Sequence, residues 1–143
     1  YDATSDRLLA SADGGRAWDV LERPAPLLDF APSPRDDRQL VATAADLGQG
    51  LYESRDGGRS WSPIGGAVGL LAWPRADALY LVDGRGDVRV SADAGRTFGI
   101  RGSIGGQPAA LIARGEELLV ALHDGTIKRS VDGGRTWAVR STP

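Results

Sequence analysis

Four eight-residue segments of this sequence follow one pattern, Ser-x-Asp-x-Gly-x-x-aromatic. They are Ser11, Asp13, Gly15 and Trp18; Ser54, Asp56, Gly58 and Trp61; Ser91, Asp93, Gly95 and Phe98; and Ser130, Asp132, Gly134 and Trp137. The serines lie 43, 37 and 39 residues apart. That period holds one four-stranded antiparallel sheet and is too short for an independent domain. Each segment suits a hairpin turn. The Asp carboxylate accepts from main-chain amides just downstream, and Gly supplies the positive φ that a side chain with a Cβ resists. The aromatic covers the turn and opens the next strand.

The residues between these boxes repeat as well. An apolar run comes first (27–31, 68–73, 109–113), then a polar turn, then a second apolar run (39–43, 79–82, 118–122). An Asp- and Gly-rich hairpin follows, and a short strand leads into the box. The four strands of each unit are called A to D in chain order. Runs A and B are nearly continuous in apolar residues, which predicts strands covered on both faces. No stretch carries sustained helical periodicity. The sequence thus reads as all-β and as a single segment over 1–143: a partial unit at 1–23, then full units at 24–65, 66–106 and 107–143.

On these residues the chain resembles the Asp-box, or BNR, repeat of β-propellers. The resemblance runs the whole length, and the third box departs from it at Ala94 and at Phe98 in place of Trp. It implies a segment of about three and a half four-stranded antiparallel blades, an incomplete ring, with A to D running from channel outward and the box as the C-to-D turn. The sialidase-like and photosystem II assembly-factor-like propellers share this repeat, as do xyloglucan-type glycoside hydrolases, sortilin-like receptors and exported bacterial proteins. The segment is similar to the C-terminal half of such a ring, so an N-terminal half or a second copy is expected at its open edges. The resemblance also implies export, to an extracellular, periplasmic or cell-surface location.

Charge and composition narrow the partners. Lys plus Arg is 17 against 19 Asp plus Glu, a net charge of -2. That balance offers no field for a polyanion, and nucleic acid is not an expected partner. There is no Cys, which removes disulfide scaffolds, thiol nucleophiles and cysteine metal sites. With one His, no metal site is expected, and no cofactor signature is present. The longest apolar stretch, about 67–73, is far short of the roughly twenty residues of a membrane helix. A protein or a glycan is the expected ligand class.

Two sets of residues compete for function. The carboxylates of Asp13, Asp56, Asp93 and Asp132 look like acids for catalysis, but the turn explains each of them. In the resembling families ligands meet the B-to-C and D-to-A loops. Those loops supply Asp46, Gln49, Asp83, Arg85, Asp87, His123 and Asp124, with Glu22, Arg23, Arg101 and Gln107. Paired carboxylates across a channel would serve a glycoside hydrolase, at about 5 Å apart for retention and more for inversion. Tight-turn geometry accounts for the same residues without catalysis. His123 beside Asp124 suggests a dyad, with no nucleophilic Ser or Cys at a recognisable position.

Other motifs point less far. Arg85-Gly86-Asp87 spells an adhesive tripeptide at a hairpin tip. The box arginines Arg16, Arg59, Arg96 and Arg135 are expected as a solvated outer row. Leu71 and Trp73 either stack a sugar or lie between blades. The sialidase Arg-Ile-Pro segment is absent, and Tyr1, Tyr52 and Tyr80 have no evident partner Glu, since Tyr52 and Glu53 point to opposite faces of a strand. The leading expectation is a noncatalytic binding scaffold. The alternative is the C-terminal half of a sialidase- or xyloglucanase-like hydrolase.

Overall fold

The computed structural model describes residues 7–45 and 49–143. All regular structure among them is strand, built as antiparallel meanders in which each strand pairs with its chain neighbour. The first sheet is the pair β1 (Leu8–Ala10) and β2 (Asp19–Leu21). The second holds β3 (Leu27–Pro32), β4 (Leu40–Ala44), β5 (Leu51–Ser54) and β6 (Ser62–Gly65). The third holds β7 (Leu70–Arg75), β8 (Ala78–Val82), β9 (Asp87–Ser91) and β10 (Gly99–Ser103). The fourth holds β11 (Pro108–Arg114), β12 (Glu117–Leu122), β13 (Ile127–Ser130) and β14 (Ala138–Ser141). The expected A-to-D runs match these strands to within a few residues.

Register makes the sheets superimposable by sequence. The box serine opposes the same position of the second strand each time: Leu40 with Ser54, Leu79 with Ser91, Leu118 with Ser130. Val41, Tyr80 and Leu119 are therefore equivalent, as are Gly57, Ala94 and Gly133 within the boxes.

The core lies between sheets. Strand β8 is buried at every position because alternate side chains enter two different interfaces. Leu79 and Leu81 pack with Ala31, Val41 and Leu51 of the second sheet. Ala78 and Tyr80 pack with Leu118, and Val82 with Val120 and Leu122, of the fourth. Polar links bind the same interfaces. Thr43 Oγ1 donates to the Gly69 carbonyl at 2.6 Å, and Asp29 Oδ2 accepts from Leu71 N at 2.8 Å. Burial pushes the Asp29 carboxyl above its usual range, against the pull of two amides.

The expectation of two covered faces fails in the fourth sheet. Along β12, Leu118, Val120 and Leu122 are buried while Leu119 and Ala121 are only half-buried, and Ile112 on β11 is 63% exposed. Leu119 sits where Val41 and Tyr80 meet the next sheet, and no further sheet among the described residues covers it. The continuous apolar run is the sequence of a two-faced strand, and what covers its second face is decided outside the strand.

Candidate functional site

Each box is closed by one repeated set of hydrogen bonds. The serine hydroxyl donates to the Asp Oδ1 and accepts from the second box glycine, at 2.7–2.8 Å for Gly15, Gly58, Gly95 and Gly134. The Asp carboxylate accepts from the amide four residues on: Ala17, Ser60, Thr97 and Thr136. In the last three boxes the hydroxyl of that residue also donates to it. The indoles of Trp18, Trp61 and Trp137 donate to Gly15, Gly58 and Gly134 carbonyls.

These donors favour the ionised acid. Hydrogen bonds from Ser60 and from Thr97 hold the Asp56 and Asp93 carboxyls down to about 2, and Thr136 pulls Asp132 well below the usual carboxylate range. Asp13 is lowered chiefly by the Ala17 amide. Because the folded values lie below the ordinary 3.8, the unfolded chain takes up these protons first. The stability they contribute is complete above the unfolded value and is lost as pH falls toward the folded one. We expect the melting temperature to fall between about pH 4 and pH 2. Asp93→Asn keeps one acceptor but no charge, and should flatten that slope in a pH series of thermal melts. A slope unchanged by Asp93→Asn and Asp56→Asn together would contradict this.

The arginine row is more engaged than expected. Arg59, Arg96 and Arg135 each donate from Nη1 to the carbonyl of their own box Asp, at 3.0–3.1 Å. Arg96 also reaches across the interface to Glu53, 3.0 Å from its Oε2. Glu53 is buried and accepts from Gln39 Nε2 at 2.7 Å and Arg55 Nε at 3.1 Å. Burial raises its carboxyl, but Gln39 and the two arginines outweigh that and hold it low. Nothing in the sequence singles out Glu53 for this role, because its partners come from a turn fourteen residues back and a box 43 residues on.

At the opposite end the loop residues divide. Asp46 lies outside the described residues, and Gln49 is exposed at the entry to β5. Asp83 Oδ1 accepts from Arg85 N and Asp87 N at 3.0 and 3.1 Å, and its Oδ2 pairs with Arg89 at 3.3 Å. Asp124 Oδ1 accepts from Thr126 N at 2.8 Å, which lowers its carboxyl. His123 N donates to the Gln107 carbonyl, and a shallow depression there is lined by Gln107, Leu122, His123 and Asp124. Asp83 and Asp87 are not part of it. Among the described residues no group of three or more His, Asp or Glu could hold a metal, and no helix is long and apolar enough to cross a membrane.

Three further residues depart from expectation or settle an alternative. Arg101 is not in a connecting loop: it lies at an irregularity in β10, beside Gly133 of the fourth-sheet box. Trp73 is 8% exposed and buried between the second and third sheets with Leu71. Gly86 of the Arg-Gly-Asp tripeptide is buried with φ +87, and its carbonyl accepts from Ile104 N at 2.8 Å.

The box geometry has a counterpart among known families. The BNR/Asp-box repeat family matches residues 52–63, the second box with its flanking strands. Solved structures with the same sheet arrangement extend the likeness to most of the chain. YCF48 from Cyanidioschyzon merolae aligns with a TM-score of 0.70 and 20% identity over 88% of this chain and 41% of that one. The chain has the fold of a β-propeller segment. A structure of YCF48 bound to a D1 peptide aligns with the segment at TM-score 0.69 and 19% identity, over 85% of this chain and 44% of that one. A GH74 xyloglucanase from Xanthomonas campestris aligns at TM-score 0.61 and 16% identity, over 85% of this chain and 19% of that one. The segment thus spans less than half the length of these proteins. No match is found among curated proteins.

Proposed function

We propose that this propeller segment is a noncatalytic scaffold that binds a protein or peptide partner through the B-to-C and D-to-A end of its blades, in an exported or envelope-facing setting. One observation carries the reading. Two of the carboxylates at that end, Asp83 and Asp124, are each occupied by amides of their own turn, and Asp83 does not line the depression that holds Asp124. Acid and base work on a glycoside needs two carboxylates facing one substrate atom pair. A rigid rim of short turns suits binding instead, and a D1 peptide is bound by YCF48, a protein of this fold.

The test sets binding against turnover. Intact protein should bind immobilised peptides saturably, with loss of affinity on His123→Ala or Gln107→Ala, and should release no sugar from sialosides or xyloglucan. Turnover of either glycan that Asp83→Asn or Asp124→Asn abolishes would replace the scaffold reading with the hydrolase one. Cell fractionation that recovers the protein only in the cytoplasm would remove the exported setting.

A further inference from the structure

We propose that this segment associates head to tail with a second copy of itself, the first box of one molecule seated on the outer face of the fourth sheet of the other. The contact uses the faces of the end sheets rather than the loops to which partner binding is assigned above, and it stands independently of that assignment.

Each interface between described sheets repeats one fit. The second box glycine of a sheet lies on a third-strand residue of the sheet before it: a Cβ added at Gly58, Gly95 or Gly134 would stand 3.4, 3.2 or 2.8 Å from Leu8, Leu51 or Val88 respectively. Those three aliphatic residues are equivalent, each standing three places before its box serine. All three glycines are buried. The box aromatic joins the same apolar cluster, Trp61 with Leu8, Phe98 with Leu51 and Trp137 with Val88. So close an approach needs the bare backbone of glycine.

Two members of this series lack a counterpart among the described residues. Ile127 is the fourth-sheet equivalent of Leu8, Leu51 and Val88, and it is 39% exposed, with no box glycine on it. Gly15 is the first-box equivalent of the three buried glycines, yet it is exposed, and a Cβ added there would meet only its own Trp18. Trp18 is itself 58% exposed. Gly15 and Trp18 therefore match Ile127 as Gly95 and Phe98 match Leu51. A second copy supplies both surfaces, in the register that three internal interfaces already use. The face around Ile127 is apolar, with Ala110, Ile112, Leu119 and Ala121. Its neighbouring ions are already matched: Arg129, on the same face of β13, pairs with Glu117 at 2.6 Å, and Asp13 of the first box accepts from Ser11, Arg16 N and Ala17 N. Covering the face leaves neither Arg129 nor Asp13 an unpaired charge. Because the contact joins two unlike surfaces it is heterologous.

Sedimentation equilibrium of the intact protein from about 1 to about 200 µM, a range that spans moderate to weak association, should show a mass that rises above the monomer's with concentration. Ile127→Glu and Trp18→Ala, both at exposed positions, should each weaken association about tenfold or more, the size expected for the anchor of a contact. Circular dichroism and thermal melts of the two variants check that the fold is kept. An equimolar mixture of the two should associate more strongly than either alone, because Trp18 of the Ile127→Glu molecule still meets Ile127 of the Trp18→Ala molecule. A merely unfolding substitution would not be rescued in this way. A protein that stays monomeric at about 200 µM, association insensitive to either variant, or a mixture no stronger than its components would each overturn the proposal. Sensitivity to Ile127→Glu alone would replace it with a contact between two fourth-sheet faces.

Discussion

Gly86→Ala should destabilise this segment by about 3 kcal/mol, combining the strain of a positive φ on a residue with a Cβ and a collision in a packed turn. Gly86 has φ +87, and an added Cβ would stand 2.4 Å from the Gly106 carbonyl oxygen and 2.8 Å from Ile104. The oxygen belongs to backbone that Ile104, 1% exposed, anchors in the core between the third and fourth sheets. Neither partner yields cheaply. Gly84, two residues away, has no positive φ and nothing within 4 Å of its ideal Cβ. Gly84→Ala should therefore change stability by less than about 0.5 kcal/mol. Urea denaturation of the two variants measures both, and equal effects would refute the argument. The tripeptide Arg85-Gly86-Asp87 is for the same reason a poor subject for adhesion tests by glycine replacement, since the fold would be lost first.

The second large effect concerns the third box, where the sequence breaks its own pattern. Ala94 has φ 60, the one positive φ outside glycine among the described residues. Its counterpart Gly133 would place a Cβ 3.0 Å from the Tyr80 hydroxyl oxygen. The register explains the exchange. Tyr80 is equivalent to Val41, so the interface before the fourth sheet carries the large side chain and needs a bare glycine above it. The interface before the third sheet carries Val41, and the Ala94 methyl packs on the cluster that contains it.

Gly133→Ala alone should cost about 2–3 kcal/mol, from left-handed strain plus the clash. Tyr80→Val alone should cost about 3 kcal/mol, as a large-to-small change at a fully buried site. Together they recreate the Val41 and Ala94 combination. The double variant should be more stable than the sum of the single losses by about 1 kcal/mol or more, the size expected for residues in contact. Strict additivity would show that the two positions do not share the space assigned to them.

The boxes were legible because everything they need is local. Ser, Asp, Gly and the hydroxyl or amide four residues on lie within one turn, so residue types at fixed spacing specify the hydrogen bonds of Ser54, Asp56, Gly58 and Ser60 before any tertiary contact forms. The strand order follows for the same reason. Short Asp-Gly hairpins leave each strand no neighbour but the next, and the meander is the result.

The rest required the packing of one sheet on another. Whether an apolar strand has one covered face or two depends on what lies beside it, so Tyr80 is buried and its equivalent Leu119 is not. Glu53 is an alternating polar residue in sequence, and becomes a buried link only because Arg96 arrives from the next sheet. Arg101 reads as loop, and joins an interface through an irregularity in its strand register that spacing does not encode. Sequence by itself determined the turns, the strands and their order, because those contacts close within a few residues. Which charges are spent between sheets, as those of Arg96 and Glu53 are, was decided only by the tertiary structure, where partners some forty residues apart meet at distances that no local pattern records.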